Sequence, residues 1–141
     1  MGKKLRNVVL VDDNETTSFL NNRLLSRLDV ADKVYTFSRA EQAYDFLWGN
    51  GTDRASSMEP DAPQLVFVDL KMPGMDGFEF LEQYSQLPDE IKEKTVMAVL
   101  TTSMHSADTA RVAKYEGVEY LAKPLTEEKM RKLLDKRFVT I

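Results

Sequence analysis

A chain of 141 residues with 43% hydrophobic and 30% charged residues is one ordinary globular domain, and a chain of that size buries roughly 68–70% of the surface its unfolded form exposes. Its formal net charge of −4 argues against a general nucleic-acid binder, which needs a basic face to neutralise phosphates. The absence of cysteine excludes disulfides, thiolate zinc sites and cysteine nucleophiles, and the single histidine excludes multi-histidine metal sites.

The first stretch, MGKKLRNVVLVDDN, places cations before an apolar run as a signal peptide does. That run, residues 8–11, is too short and ends in two acids rather than a small-residue cleavage site. Nowhere are there the roughly 18 uninterrupted apolar residues that a membrane span requires, so a soluble, cytoplasmic protein with no membrane association is expected. Short β-branched or aromatic runs predict strands over 8–11, 34–37, 65–68, 96–100 and 120–122, of the kind buried in parallel sheets. The first predicted helix carries Leu20, Leu24 and Leu28 at i, i+4 spacing. A second opens at Ser38 with Glu41 three residues on, a capping-box pattern. Residues 49–63, GNGTDRASSMEPDAP, read as a polar surface loop inserted before the third strand, and long insertions cost little closure entropy. A third helix is predicted over 77–86, with Phe78, Leu81 and Tyr84 on one face; a fourth runs from near Ser106 to a stop at Gly117, and a fifth over 126–137. Five strands alternating with five helices imply right-handed crossovers and a doubly wound α/β sandwich in a single domain spanning 1–141.

In an open parallel sheet, ligands bind at the carboxyl ends of the strands. The first strand ends in Asp12 and Asp13, the third in Asp69, the fourth in Thr101 and Thr102, and the fifth in Lys123 followed by Pro124. Taken singly, each has an ordinary structural explanation: an ion pair for the lysine, a helix cap for the adjacent acids. Together they place three carboxylates at one rim, an arrangement that is unfavourable unless a cation is shared or a proton is taken up. Oxygen ligands without nitrogen or sulfur point to Mg²⁺. An aspartate, a lysine, a hydroxyl and a metal suit phosphoryl transfer, with a carboxylate as the nucleophile and the cations and hydroxyl taking phosphoryl oxygens. Asp69 stands alone and is the better acceptor; the Asp12–Asp13 pair is the better metal anchor.

The motifs VLVDDN, FVDLKMPGMDG, VLTTS and YLAKP follow one another along the chain, each at a strand end. In this order they resemble the receiver domain of two-component response regulators, of the single-domain, chemotaxis-regulator-like kind, over essentially the whole chain. The resemblance implies a flavodoxin-like fold, a five-stranded parallel sheet of order 2-1-3-4-5 with helices on both faces. By position it implies that Asp69 is the phosphoacceptor, that Asp12 and Asp13 bind Mg²⁺ with Asp69, and that the Lys71 backbone carbonyl completes the protein ligands. It further makes Lys123 the phosphoryl-binding lysine, Thr101 the switch hydroxyl, Tyr120 the reorienting aromatic and Pro124 a cis-proline. The implied donor is a sensor histidine kinase or histidine phosphotransfer protein. The implied output is a changed surface on the fourth helix, fifth strand and fifth helix for a downstream protein, without direct nucleic-acid binding and without catalysis beyond the domain's own phosphorylation and dephosphorylation.

Two other classes share part of this pattern. A Mg²⁺-dependent phosphohydrolase with an aspartyl nucleophile carries an aspartate-x-aspartate signature, whereas Asp69 is followed by Leu70 and Lys71. A pseudo-receiver acting as a pure interaction module lacks an acid, the hydroxyl or the lysine, and all are present here. His105 is read as an exposed helix-entry residue rather than a phosphotransfer histidine. Met72, Met75 and Met104 are read as packing around the rim. Phe138, Val139 and Ile141 are expected to pack on the core or to form part of a homodimer face, and no output domain is expected after the fifth helix.

Overall fold

The computed structural model describes residues 5–48, 64–72, 74–93, 95–102 and 105–137. The predicted loop at 49–63, Met104, and Phe138, Val139 and Ile141 lie outside the described residues. The five apolar runs form strands β1 (Leu5–Val11), β2 (Ala31–Phe37), β3 (Gln64–Val68), β4 (Thr95–Thr101) and β5 (Glu119–Ala122). All four pairings are parallel, in the order β2-β1-β3-β4-β5.

Because side chains alternate along a strand, each strand feeds two cores. Val9, Val11, Val66, Val68, Met97 and Val99 meet helices α2 (Ala40–Trp48), α3 (Gly77–Ser85) and α5 (Ser106–Ala113) on one face. Val8, Leu10, Leu65, Phe67, Ala98 and Leu100 meet α1 (Glu15–Leu28) and α6 (Glu127–Arg137) on the other. Covering both faces is why β4 is buried along its entire length and why its sequence is a continuous apolar run rather than an alternating one. Among the described residues, no helix is long and apolar enough to cross a membrane.

Four local features differ from expectation. A single helical turn, α4 (Asp89–Lys92), precedes β4, so the predicted fourth and fifth helices are α5 and α6. In α1 the inward positions are Asn21 and Leu25, with Leu24 and Leu28 half-buried and Leu20 exposed, because three leucines at i, i+4 drift around the helix and carry the first onto its flank. Helix α2 begins at Ala40, and Glu41 does not close a box on Ser38: its two oxygens are taken by the Arg39 side chain and the Met75 N–H. The capping box belongs instead to α3, where Asp76 accepts from the Glu79 N–H at 2.9 Å and the Asp76 N–H donates to Glu79 at 3.1 Å. Helix α5 ends at Ala113, and Gly117, at φ +80°, closes the turn beyond it.

Candidate functional site

The hydrogen-bond ladder runs one residue past the strands. The Asp12 N–H donates to Phe37 O at 3.0 Å, the Asp69 N–H to Val11 O at 3.0 Å, and the Lys123 N–H to Thr101 O at 2.9 Å. These bonds pin the backbones of the rim residues before any side chain is considered. Strand parity then sorts the side chains. Asp12 continues the row Val8–Leu10, Asp69 the row Leu65–Phe67, and Lys123 follows Leu121; all three rows belong to the α1/α6 face. Thr101 continues Met97–Val99, and Tyr120 is the register partner of Val99, so this pair belongs to the α2/α3/α5 face.

The outcome is a compact charged cluster. Carboxylate oxygens of Asp12, Asp13 and Asp69 lie within 4.8 Å of one another. Asp12 is 6% exposed and Asp69 9%, whereas Asp13 lies open to solvent. The Lys123 ammonium donates to Asp12 Oδ2 at 2.6 Å and to Asp69 Oδ2 at 3.2 Å. Burial alone would lower the pKa of this ammonium, but its bond to Asp12 and the charges of Asp69 and Asp12 outweigh it and hold the pKa above the ordinary lysine value. One cation against three carboxylates leaves a local excess of negative charge. The donor set is all oxygen with one open, solvated member, which fits a hard divalent cation that keeps several waters.

The remaining predicted residues are placed as follows. Thr101 is 1% exposed at the end of β4, while Thr102 is exposed. Tyr120 is half-buried on β5 and packs against the α2/α3/α5 core. The Lys71 side chain is exposed, and its N–H lies 3.5 Å from Asp69 Oδ1. The Lys123–Pro124 bond is cis. His105 is exposed at the N-cap of α5 and makes no capping bond with its side chain. Met72 is buried and Met75 half-buried, both against the same core.

Three supporting residues were not legible beforehand. Gly77 lies so close to the chain leaving β3 that an added Cβ would be 2.6 Å from Leu70 Cα. Lys129 sits in the first turn of α6, where the helix dipole disfavours a cation; its ammonium instead reaches back to Ala122 O at 2.6 Å and Pro124 O at 3.0 Å, the carbonyls flanking Lys123. A lysine among the acids of a helix's first turn is the sequence signal that could have found it. Glu41 is tied to the loop after Asp69 by its bond from Met75. Beside Asp12, a groove of about 400 Å³ opens between α1 and the end of β2, bordered by the exposed ring of Phe19.

The chain matches the model of the response regulator receiver domain family over residues 8–135. It is 29% identical over 129 residues to the probable methanogenesis regulatory protein FilR2 of Methanothrix harundinacea (strain 6Ac), which covers 91% of this chain and 78% of that protein. It is 32% identical over 123 residues to hybrid signal transduction histidine kinase D of Dictyostelium discoideum, covering 84% of this chain but only 7% of the kinase. Among solved structures, a response regulator receiver protein from Dyadobacter fermentans DSM 18053 superposes with a TM-score of 0.79 at 27% identity, covering 96% of this chain and 99% of that one. The relatives thus include both a regulator and a histidine kinase. The chain belongs to the response regulator receiver domain family, the phosphorylation-activated regulatory switches of two-component signalling.

Proposed function

We propose that Asp69 is the phosphoacceptor of this switch, that Asp12, Asp13 and Asp69 hold Mg²⁺ together with the Lys71 carbonyl, and that a sensor histidine kinase or histidine phosphotransfer protein is the donor. The observation that carries this reading is the Lys123 ammonium bridging Asp12 and Asp69 inside a three-carboxylate cluster. An Asp69 oxygen attacks phosphorus, the bond from phosphorus to the donor imidazole nitrogen breaks, and an acyl phosphate forms. Hydrolysis reverses the state: water attacks phosphorus, the bond to the Asp69 oxygen breaks, and inorganic phosphate leaves with the carboxylate regenerated. The bound metal supplies charge neutralisation at the phosphoryl oxygens. Lys123, released from Asp69 Oδ2, is positioned to take one of those oxygens. Exposed Phe19 and Leu20 offer an apolar margin to the donor next to Asp12.

A phosphoryl group on Asp69 brings strong acceptors to the rim, which draw the Thr101 hydroxyl toward it. The space vacated lies on the face that Tyr120 shares, and Tyr120 moves into it. Edge strand β5, half-buried throughout, and its flanking helices α5 and α6 then present a different surface to a downstream protein or to a second copy of the chain. This reading treats residues 1–141 as a single receiver domain acting in the cytoplasm.

The test is intact-protein mass after incubation with acetyl phosphate, with and without Mg²⁺, beside Asp69→Asn. A Mg²⁺-dependent single-phosphate adduct that disappears in the variant is expected. An adduct that persists in Asp69→Asn would refute the assignment.

A further inference from the structure

The loop that leaves Asp69 is gripped from a distant part of the chain. Residues 70–72 and 74–76 lie between β3 and α3, and Glu41 at the start of α2 accepts from the Met75 N–H at 3.1 Å across 34 positions. The other Glu41 oxygen is held by Arg39 Nε at 2.8 Å. The pair leans on Gly74, whose φ is +72° and where a Cβ would meet Arg39 Nη2 at 3.0 Å and Glu41 Oε2 at 3.2 Å. The bond from Arg39, followed by that from the Met75 N–H, holds the Glu41 carboxyl below its ordinary pKa, so it stays an ionised acceptor.

The Arg39 and Glu41 side chains are 48% and 41% exposed, and ion pairs in such positions contribute little to stability. What sets this pair apart is its target. A glutamate in the first turn of a helix ordinarily turns back to its own N-cap, but this one spends its acceptor on the loop that carries Lys71. The near end of that loop is tied by the Asp69 N–H to Val11 O and by the Gly77 N–H to Leu70 O, both at 3.0 Å. Met75 is the tie that neither the sheet nor α3 supplies.

We propose that Glu41, oriented by Arg39, is a positioning residue for the phosphoryl site: by fixing Met75 it holds residues 74–76 in the arrangement that keeps the Lys71 backbone beside Asp69, and so sets Mg²⁺ affinity and the rate of phosphoryl uptake. This rests on the assignment of Asp69 and the metal ligands above. Small displacements matter at such sites, since a misplacement of about 1 Å can cost about 100-fold in rate.

The test compares wild type, Glu41→Ala and Glu41→Gln. The glutamine keeps an oxygen for the Met75 N–H; the alanine removes it. Four quantities are measured: hydrogen exchange of the Met75 amide by NMR, Mg²⁺ affinity by calorimetry without phosphodonor, the rate of adduct formation with acetyl phosphate, and Tm as a control. Glu41→Ala should accelerate Met75 exchange about tenfold, the scale of one lost hydrogen bond. It should weaken Mg²⁺ binding and slow adduct formation several-fold, with Glu41→Gln close to wild type and all three proteins melting together. Unchanged Met75 exchange in the alanine variant overturns the proposal, as does a freed Met75 with wild-type Mg²⁺ affinity and uptake, or equal losses in both variants. A wild-type protein that takes neither Mg²⁺ nor phosphate sinks the phosphoryl reading and this proposal with it, while Met75 protection would still report a plain structural tether.

Discussion

Gly77→Ala sets two effects of opposite sign against each other at the start of α3. Alanine is the better helix former by up to about 1 kcal/mol, and Gly77 has no positive φ to protect, so local propensity favours the substitution. Packing opposes it. The added Cβ would lie 2.6 Å from Leu70 Cα and 3.0 Å from the Asp69 carbonyl carbon, where carbon atoms settle at about 3.5–4.0 Å. Roughly an ångström must be found, and the obstructing atoms are backbone, tied to β1 through the Asp69 N–H and to Gly77 itself through Leu70 O. Overpacking of this kind costs about 1–3 kcal/mol. Obstructing backbone cannot swing aside, which puts the cost in the upper half of that range, about 2–3 kcal/mol; subtracting about 1 kcal/mol of propensity gain leaves a net loss of about 1–2 kcal/mol, or about 4 °C in Tm per kcal/mol for a domain of this size. The displaced segment includes Asp69, so phosphoryl uptake should fall as well, at temperatures where the variant is fully folded. Urea unfolding, paired with adduct formation from acetyl phosphate, reads both quantities. A variant as stable as wild type, with unaltered uptake, would refute the close-packing argument.

Lys123→Gln removes the ammonium held between Asp12 and Asp69, and breaking a buried pair in this way costs about 3 kcal/mol. Adding Mg²⁺ should restore part of that loss by mass action and should raise Tm more in the variant than in wild type. A thermal-shift series reads this, and a variant that matches wild type without Mg²⁺ would contradict it. At the opposite rim, Glu119 accepts from Lys136 at 3.0 Å and Arg137 at 2.8 Å. Burial alone would raise its pKa, but these two bonds override that and hold it below the ordinary value. A depressed carboxyl pKa gives stability that is present above the unfolded value of about 4.3 and lost as pH falls through the folded one. Glu119→Gln should therefore cost about 0.5–1 kcal/mol at pH 7 after allowance for solvent screening at exposed Lys136. The gap from wild type should close toward pH 3 in urea unfolding at a series of pH values; a gap that widens on acidification would reverse the assigned sign.

Much of this molecule is legible in its sequence because its signals are local. The unbroken apolar runs at 65–68 and 96–100 announce strands buried on both faces. The acids, hydroxyls and lysine that end the strands must meet at one rim in any parallel sheet. Helix boundaries were less legible where side chains had a choice of partner: Ser38 and Glu41 spell a capping box, yet the glutamate goes to Met75 because the tertiary fold brings a free N–H within its reach.

The sequence alone therefore determined the parallel α/β class, the set of candidate rim residues and their chemistry, since these depend on residue type and on periodicities of 2 and 3.6. Only the tertiary structure decided which of them face one another. Inter-strand register places Asp12, Asp69 and Lys123 on one face and Thr101 with Tyr120 on the other, and a slip of one residue would exchange the two sets. It also decided the supports, Gly77 against Leu70, Lys129 on the carbonyls flanking Lys123, and Glu41 on Met75. These are contacts between elements, and no local pattern encodes a distance between two elements until the chain has packed them together.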